Sequence, residues 1–214
     1  MFKFLDIGTG NGESVLFCEN KFNIKPGVGF DISEKKVAEA KRLGRNVALL
    51  DVLDIDVSHS CVSFVSMMDF LEHLHNKEAA IKMIQAASVL ASDFIFIRHP
   101  SFEDIDYLAK LNLKLDWTDW SGHRTHLLLS DFEKIFNELG LFEYTIIPRK
   151  QIIDSLNTAI IPIDAPRNTI RYNPFKHGAK EYILFTKPVY SQFDIFVRLN
   201  KAIGSSRWKS IVQA

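Results

Sequence analysis

Cysteine is scarce in this sequence, and neither sign of charge is in excess. The two cysteines, Cys18 and Cys61, fit no metal-ligand spacing and read as buried thiols of a reducing compartment. Lys+Arg and Asp+Glu stand at 26 each, so no general electrostatic pull toward nucleic acid or an anionic membrane is expected. No apolar run is long and uninterrupted enough to span a bilayer, and the N-terminus lacks the layout of a signal peptide. Internal repeats and low-complexity segments are missing as well. What remains is an ordinary globular balance, 47% hydrophobic and 24% charged, over 214 residues. That length suffices for one α/β domain with a proper core, and the expected location is the cytoplasm.

The first half alternates strand and helix signals. "KFLDI", "GVGFDIS", "NVALLDV", "VSFVSMM" and "DFIFIRHP" read as strands, the last ended by Pro100. Between them "GESVLFCENKF" reads as a helix with Val15, Leu16 and Phe22 facing inward. "SEKKVAEAKRLG" is a second, with Ser33 as N-cap and Gly44 as stop, and "EAAIKMIQAASVL" a third. Such alternation predicts a parallel sheet covered on both faces, with its ligand at the C-terminal strand ends near the switch in strand order.

After Pro100 the rhythm changes. Residues 101–129 carry Trp117, Trp120, His123 and His126 before a helix resumes at "SDFEKIFNELG", with Ser130 as cap, Glu133 in the capping-box position and Gly140 as stop. "FEYTIIPRKQI" and "EYILFTKPV" read as strands. The Pro-, Asn- and Arg-rich stretch between them makes 151–180 a candidate lid or substrate wall. The expected organisation is one domain over 1–190, with 101–129 and 151–180 as insertions, and a tail over 191–214. Helical spacing of Phe193, Phe196 and Val197 would pack that tail on the domain or on a partner chain.

The stretch "FLDIGTGNGESVL" sets Gly8, Gly10 and Gly12 between a strand and a helix. A phosphate-binding P-loop would need Gly-Lys-Ser/Thr after its glycines, and Glu13-Ser14 follows here. A dinucleotide fingerprint would need a third glycine where Glu13 stands, and that carboxylate would face a pyrophosphate. A bare tight turn is the remaining structural reading. Acids flank the turn: Asp6 before it, Asp31 at the end of the second strand and Asp51 at the end of the third, with Asp54 and Asp56 as rivals of Asp51. Carboxylates on successive strand tips suit a ligand with an ammonium, a ribose and an adenine but no phosphate, as in S-adenosylmethionine.

In "FLDIGTGNGESVL", "GVGFDIS", "ALLDVLDI" and "FVSMMDFLEHLHN" the chain resembles the class I S-adenosylmethionine-dependent methyltransferases over roughly its first hundred residues. The resemblance implies a Rossmann-like three-layer sandwich whose mostly parallel seven-stranded sheet has an antiparallel last strand. It implies S-adenosylmethionine as cofactor, with Asp6, Gly8, Gly10 and Gly12 along its methionine end. Asp31 would hold the ribose, Ile32 would lie beside the adenine, and Asp51 with the backbone of Val52 would meet the adenine edge. Asp69, Leu71, Glu72 and His73 match the fourth motif, with Met67 and Met68 next to the sulfonium. The helical segment that usually precedes the first motif and covers the cofactor does not precede this strand, so either another segment covers the site, with 101–129 and 151–180 as the obvious substitutes, or a second subunit closes it, or the sequence is incomplete.

Methyl transfer is an in-line displacement that relies on positioning, and a base is needed only where the acceptor must lose a proton. His99 and His123 are the candidate bases, and Trp117 or Trp120 a candidate apolar wall. His123 and His126 with no cysteine nearby make a poor metal site, so no metal is expected. A small-molecule acceptor is favoured over nucleic acid, and no Asn-Pro-Pro-Tyr-type motif follows the fourth strand. A homodimer is one expected assembly. The alternatives are a binding or regulatory protein that keeps the cofactor pocket without turnover, and a nucleotide-dependent oxidoreductase on a similar fold.

Overall fold

A computed structural model of the chain describes residues 2–55, 60–177, 179–200 and 203–214. The alternating first half folds as β1 (Phe4–Ile7), α1 (Glu13–Phe22), β2 (Gly27–Asp31), α2 (Glu34–Arg42), β3 (Val47–Leu49), β4 (Val62–Met68), α3 (Lys77–Leu90) and β5 (Ala91–Pro100). Short 3-10 turns follow β3 at Val52–Asp54 and β4 at Leu71–His73. The second half adds α4 (Ile105–Ala109), β6 (Leu113–Leu115), α5 (Leu129–Glu138), β7 (Tyr144–Asp154), β8 (Ile160–Pro162), α6 (Pro174–His177), β9 (Leu184–Arg198) and α7 (Ser205–Gln213).

Seven strands form one sheet in the order β3-β2-β1-β4-β5-β9-β7. All neighbours from β3 to β5 are parallel, and β9 runs antiparallel to both β5 and β7. This is the mostly parallel sheet that the sequence predicts. The strand order reverses between β1 and β4, so the C-terminal tips of these two strands open a crevice at Gly8 and Asp69, where a ligand of such a sheet belongs.

Side chains alternate across the sheet with the strand period of two. On one face Phe4, Phe64, Phe94, Phe96 and Phe196 form an aromatic layer that takes Phe22 of α1 and Trp208 of α7. Phe4, Phe64 and Phe94 stack in succession, with ring centroids 4.5 and 4.7 Å apart. On the other face Leu5, Ile7, Val65, Met67, Ile95, Ile97, Ile195 and Val197 pack on α3 and α5. Burying each large side chain contributes about 1.5–3 kcal/mol, which fixes the strand tips against both layers.

Several local expectations change. Leu16 is exposed, and Val15 and Cys18 are the buried residues of α1. Cys61 is exposed rather than buried. α5 begins at Leu129, so Ser130 lies inside its first turn; Asp131, not Glu133, accepts the backbone N–H of Leu128 at 2.9 Å. Phe193, Phe196 and Val197 belong to a strand, not a helix, so the expected 190/191 boundary falls inside β9. Phe196 and Val197 enter opposite core layers, and a strand buried on both faces carries no polar alternation to announce it.

The two expected insertions meet. β6, from the first, pairs antiparallel with β8, from the second. A separate apolar cluster of Leu108, Leu113, Leu115, Ile152, Ile160 and Val189 holds this small sheet against the extended ends of β7 and β9.

Candidate functional site

The glycine turn after β1 is left-handed at Gly8 (φ 71), Gly10 (φ 59) and Gly12 (φ 84), a region that suits residues without a Cβ. At Gly8 space adds to conformation: an ideal Cβ would lie 2.1 Å from Cδ2 of the Phe70 ring. The turn is tied to the neighbouring strand by Asp31. Its Oδ2 accepts the N–H of Gly10 at 2.7 Å and its Oδ1 the N–H of Ser33 at 2.8 Å. One carboxylate therefore sets both the turn and the entry to α2.

Asp6 takes a supporting place. It is fully buried, accepts the hydroxyl of Ser66 at 2.6 Å and that of Ser14, and lines none of the cavities at the strand tips. Its carboxyl is pushed up to about 6 by burial, against the opposing effect of these hydroxyl donors. The expected contact of Asp6 with the ligand is thus replaced by a brace between β1, β4 and the first turn of α1.

Two cavities flank the turn. One, of about 480 Å³, lies over the turn and the start of α1, between Gly10, Ser14, Phe17, Lys36 and Met68. The other, of about 460 Å³, lies over the tips of β2 and β3, between Asp31, Ile32, Asp51, Val52, Leu53 and Phe70. Gly8, Lys36 and Asp69 line both. Ile32 is 73% exposed and free to cover a flat ligand. Asp51 accepts the N–H of Leu53 at 3.0 Å and caps the 3-10 turn, which fixes its carboxylate at the cavity edge. Its rival Asp54 lies further along that turn, and Asp56 lies outside the described residues. Met67 is fully buried in the core and only Met68 faces a cavity, a correction that follows from strand parity.

A third cavity, of about 340 Å³, opens on the far side of Asp69. Glu72, His73, Trp117, Trp120, His123 and Lys150 line it. Asp69 thus borders all three cavities, held in the left-handed region at φ 48. Solvent reaches it from the cavities, but protein crowds its other sides. Desolvation first and the Glu72 carboxylate second raise its carboxyl to about 6, against Arg98, His99 and Lys150.

The loop after β6 is fastened to this wall by backbone bonds from Arg124 and Thr125 to the Glu72 carbonyl, at 2.8 and 3.1 Å. Trp117 donates its indole N–H to the Ser101 carbonyl at 2.9 Å, which locks its ring. His123 reaches the cavity, but His99 does not. His99 is 1% exposed and stands behind Glu72, its Nδ1 3.3 Å from Oε2, between the rings of Phe102 and Phe132. His126 turns away to stack on Phe102 at 4.2 Å. Burial lowers the pKa of both His123 and His126.

Sequence reasoning missed Lys36, Phe70 and Lys150 as cavity walls. Lys36 had a local signal: it lies three residues after the cap of a helix that starts at a strand tip. Phe70 had one too, as the residue after Asp69 in the fourth motif, whereas Lys150 had none, because it reaches the crevice only through the fold.

A family model described as a methyltransferase domain matches residues 3–142, more than half of the chain. No curated protein matches it. Among solved structures, an S-adenosylmethionine-dependent methyltransferase from Archaeoglobus fulgidus is similar, with 19% identity and a TM-score of 0.62 over 92% of this chain and 86% of that one. A possible histamine N-methyltransferase from Thermotoga maritima has 14% identity and a TM-score of 0.57, over 94% and 83%. Magnesium protoporphyrin IX methyltransferase from Synechocystis, with S-adenosylhomocysteine bound, has 19% identity and a TM-score of 0.52, over 92% and 74%. With its motifs on the tips of a sheet in this order, the chain belongs to the class I S-adenosylmethionine-dependent methyltransferases.

Proposed function

We propose that the chain methylates a small molecule seated in the 340 Å³ cavity, with the cofactor lying across the other two. The observation that carries this reading is Asp69, the residue that borders all three spaces. The donor set fits the cofactor. Asp31 and Asp51 face the adenosine side, Lys36 and the open start of α1 offer positive charge to a carboxylate, and Asp69 offers a carboxylate to a cation at the junction.

When bound, S-adenosylmethionine supplies an electrophilic methyl group on a sulfonium. Each carboxylate oxygen of Asp31 holds one backbone N–H and keeps a further lone pair for a ribose hydroxyl. Ile32 and Val52 bound the adenine, and Met68 presents a thioether toward the methionine end. The carboxylate of Asp69 orients the positive centre toward the third cavity, where Trp117 and Trp120 exclude water and limit the acceptor to a modest size. His123 donates its Nδ1–H to the Trp117 carbonyl at 2.9 Å, leaving the Nε2 lone pair for an acceptor proton. Its lowered pKa keeps that imidazole neutral near pH 7.

A cavity of this size and a chain of balanced charge support a small acceptor over nucleic acid. Among the described residues no helix is long and apolar enough to cross a membrane. The test is calorimetric titration with S-adenosylhomocysteine, with NAD as control, followed by an acceptor screen with labelled cofactor. Micromolar binding of the first ligand alone and methyl transfer to a small acceptor are expected. Binding without transfer to any small acceptor would favour a regulatory role, and no binding would overturn the reading.

A further inference from the structure

We infer that Glu72, His73 and His123 form a binding site for a divalent transition-metal ion on the acceptor side of the crevice. One ligand atom from each of the three lies within 4.8 Å of the others. In a tetrahedral site with bonds of about 2.1 Å such atoms stand about 3.4 Å apart, so small side-chain rotations close the set. His73 is exposed on the cavity wall, and a small tilt about its hydrogen bond to the Gly122 carbonyl would bring its Nε2 closer to the set.

The hydrogen bonds around the site prepare both imidazoles as ligands. The Nδ1 of His73 is 2.9 Å from the Gly122 carbonyl, and the Nδ1 of His123 is 2.9 Å from the Trp117 carbonyl. A carbonyl only accepts, so each Nδ1 carries the proton and each Nε2 keeps its lone pair. Metal-bound histidines use this arrangement, which fixes both tautomer and ring direction. The two rings sit 5.1 Å apart, with Trp120 packed against both.

Glu72 supplies the third ligand. Its side chain is 1% exposed and lines the cavity, with Oε1 4.0 Å from the Nε2 of His73, while Oε2 faces the buried His99. A buried carboxylate is costly unless a cation or a donor meets it. Among the described residues only histidines form ion pairs with Glu72. His73 stands at 4.0 Å and the buried His99 at 3.3 Å, with no hydrogen bond between His99 and the carboxylate. Lys150 lines the same cavity, and among the described residues it is the one Lys or Arg that a bound metal would face there.

Two imidazole nitrogens and one carboxylate oxygen suit Zn²⁺, Co²⁺, Fe²⁺ or Mn²⁺ rather than Ca²⁺ or Mg²⁺. Three protein ligands leave coordination positions open toward the cavity. There the ion would bind an oxygen of the acceptor, a hydroxyl or carboxylate, and hold it beside Asp69. The lone pair of His123 is then committed to the ion. The metal site stands on its own geometry, whereas its use in holding an acceptor rests on the methyl-transfer reading.

The test titrates metal-stripped full-length protein with Co²⁺ and with Zn²⁺, and the same samples with S-adenosylhomocysteine. One Co²⁺ per chain is expected, with a visible absorption band of low-symmetry coordination and quenching of tryptophan fluorescence. His123→Ala and Glu72→Gln should each weaken binding tenfold or more, and His126→Ala should leave it unchanged. His123 lines only the acceptor cavity, so retained S-adenosylhomocysteine binding in His123→Ala shows that this variant is folded. Absent Co²⁺ binding, or binding insensitive to His123→Ala, would overturn the metal site even where S-adenosylhomocysteine binds normally. Metal binding without S-adenosylhomocysteine binding would keep the site and overturn the methyl-transfer reading.

Discussion

Arg98 on β5 grips Asp194 on β9 with two bonds, Nε to Oδ1 at 2.8 Å and Nη2 to Oδ2 at 3.1 Å. Arg149 on β7 adds a third at 3.0 Å. Asp194 is 1% exposed, so one carboxylate joins the three strands on that side of the sheet from within it. Asp194→Ala would leave two guanidinium groups facing each other and should cost about 3 kcal/mol in denaturant unfolding, the low end for a broken buried pair because both arginines keep some solvent. Arg149→Ala, from the more exposed partner, should cost under about 1 kcal/mol. Equal losses in the two variants would contradict this division.

Asp6 makes stability depend on pH in a direction opposite to that of most carboxylates. Its carboxyl is raised from the ordinary 3.8 to about 6, so between these pH values the folded state holds a proton that the unfolded chain has lost. Stability from this group is therefore full below about pH 4 and falls as pH rises through about 6, by about 3 kcal/mol in all. Asp6→Asn should remove that slope while keeping partners for Ser14 and Ser66. Unfolding midpoints measured from pH 4 to 7 would show it, and an unchanged slope would place the effect elsewhere.

Asp31 holds the glycine turn and lines the cavity proposed for the adenosine, so its loss should be felt twice. Asp31→Ala should weaken S-adenosylhomocysteine binding by about 1–3 kcal/mol, the range for unmade charge-assisted hydrogen bonds. Calorimetry with the folded variant checks this. Affinity like that of the unchanged protein would remove Asp31 from the site.

Asp69 should distinguish the charged cofactor from its neutral product. Asp69→Asn keeps the shape but removes the anion, so affinity for S-adenosylmethionine should fall about tenfold more than affinity for S-adenosylhomocysteine. That difference corresponds to about 1.4 kcal/mol of charge interaction through a partly screened crevice. Competition binding with both ligands measures it, and equal losses would mean that Asp69 does not face the sulfonium.

Much of this architecture is local and therefore legible. The glycines, Asp31 and Ser33 act on neighbours a few residues away or on the adjacent strand tip, and their spacing carries that information. Parity is less legible: Met67 and Met68 differ by one position on β4, and the sequence alone does not say which faces the crevice. The spacing of Phe193, Phe196 and Val197 reads as helical because this part of β9 is buried on both faces of the sheet. The proximity of Glu72 to His123 spans 51 positions and depends on how the loop after β6 returns to the tip of β4, which no short-range pattern encodes.

The pairing of β6 with β8 makes the two insertions a single part. Lys114 reaches the Ala165 carbonyl, Arg167 the Asp119 carbonyl and Asn168 the Ser121 N–H, so the loop bearing Trp117, Trp120 and His123 is moulded by the later segment. Under the proposed function, acceptor choice would be inherited by two distant stretches of sequence together. A chimaera that exchanges 101–129 alone would import a wall without its buttress, and a transplant of selectivity must carry both stretches on an unaltered sheet.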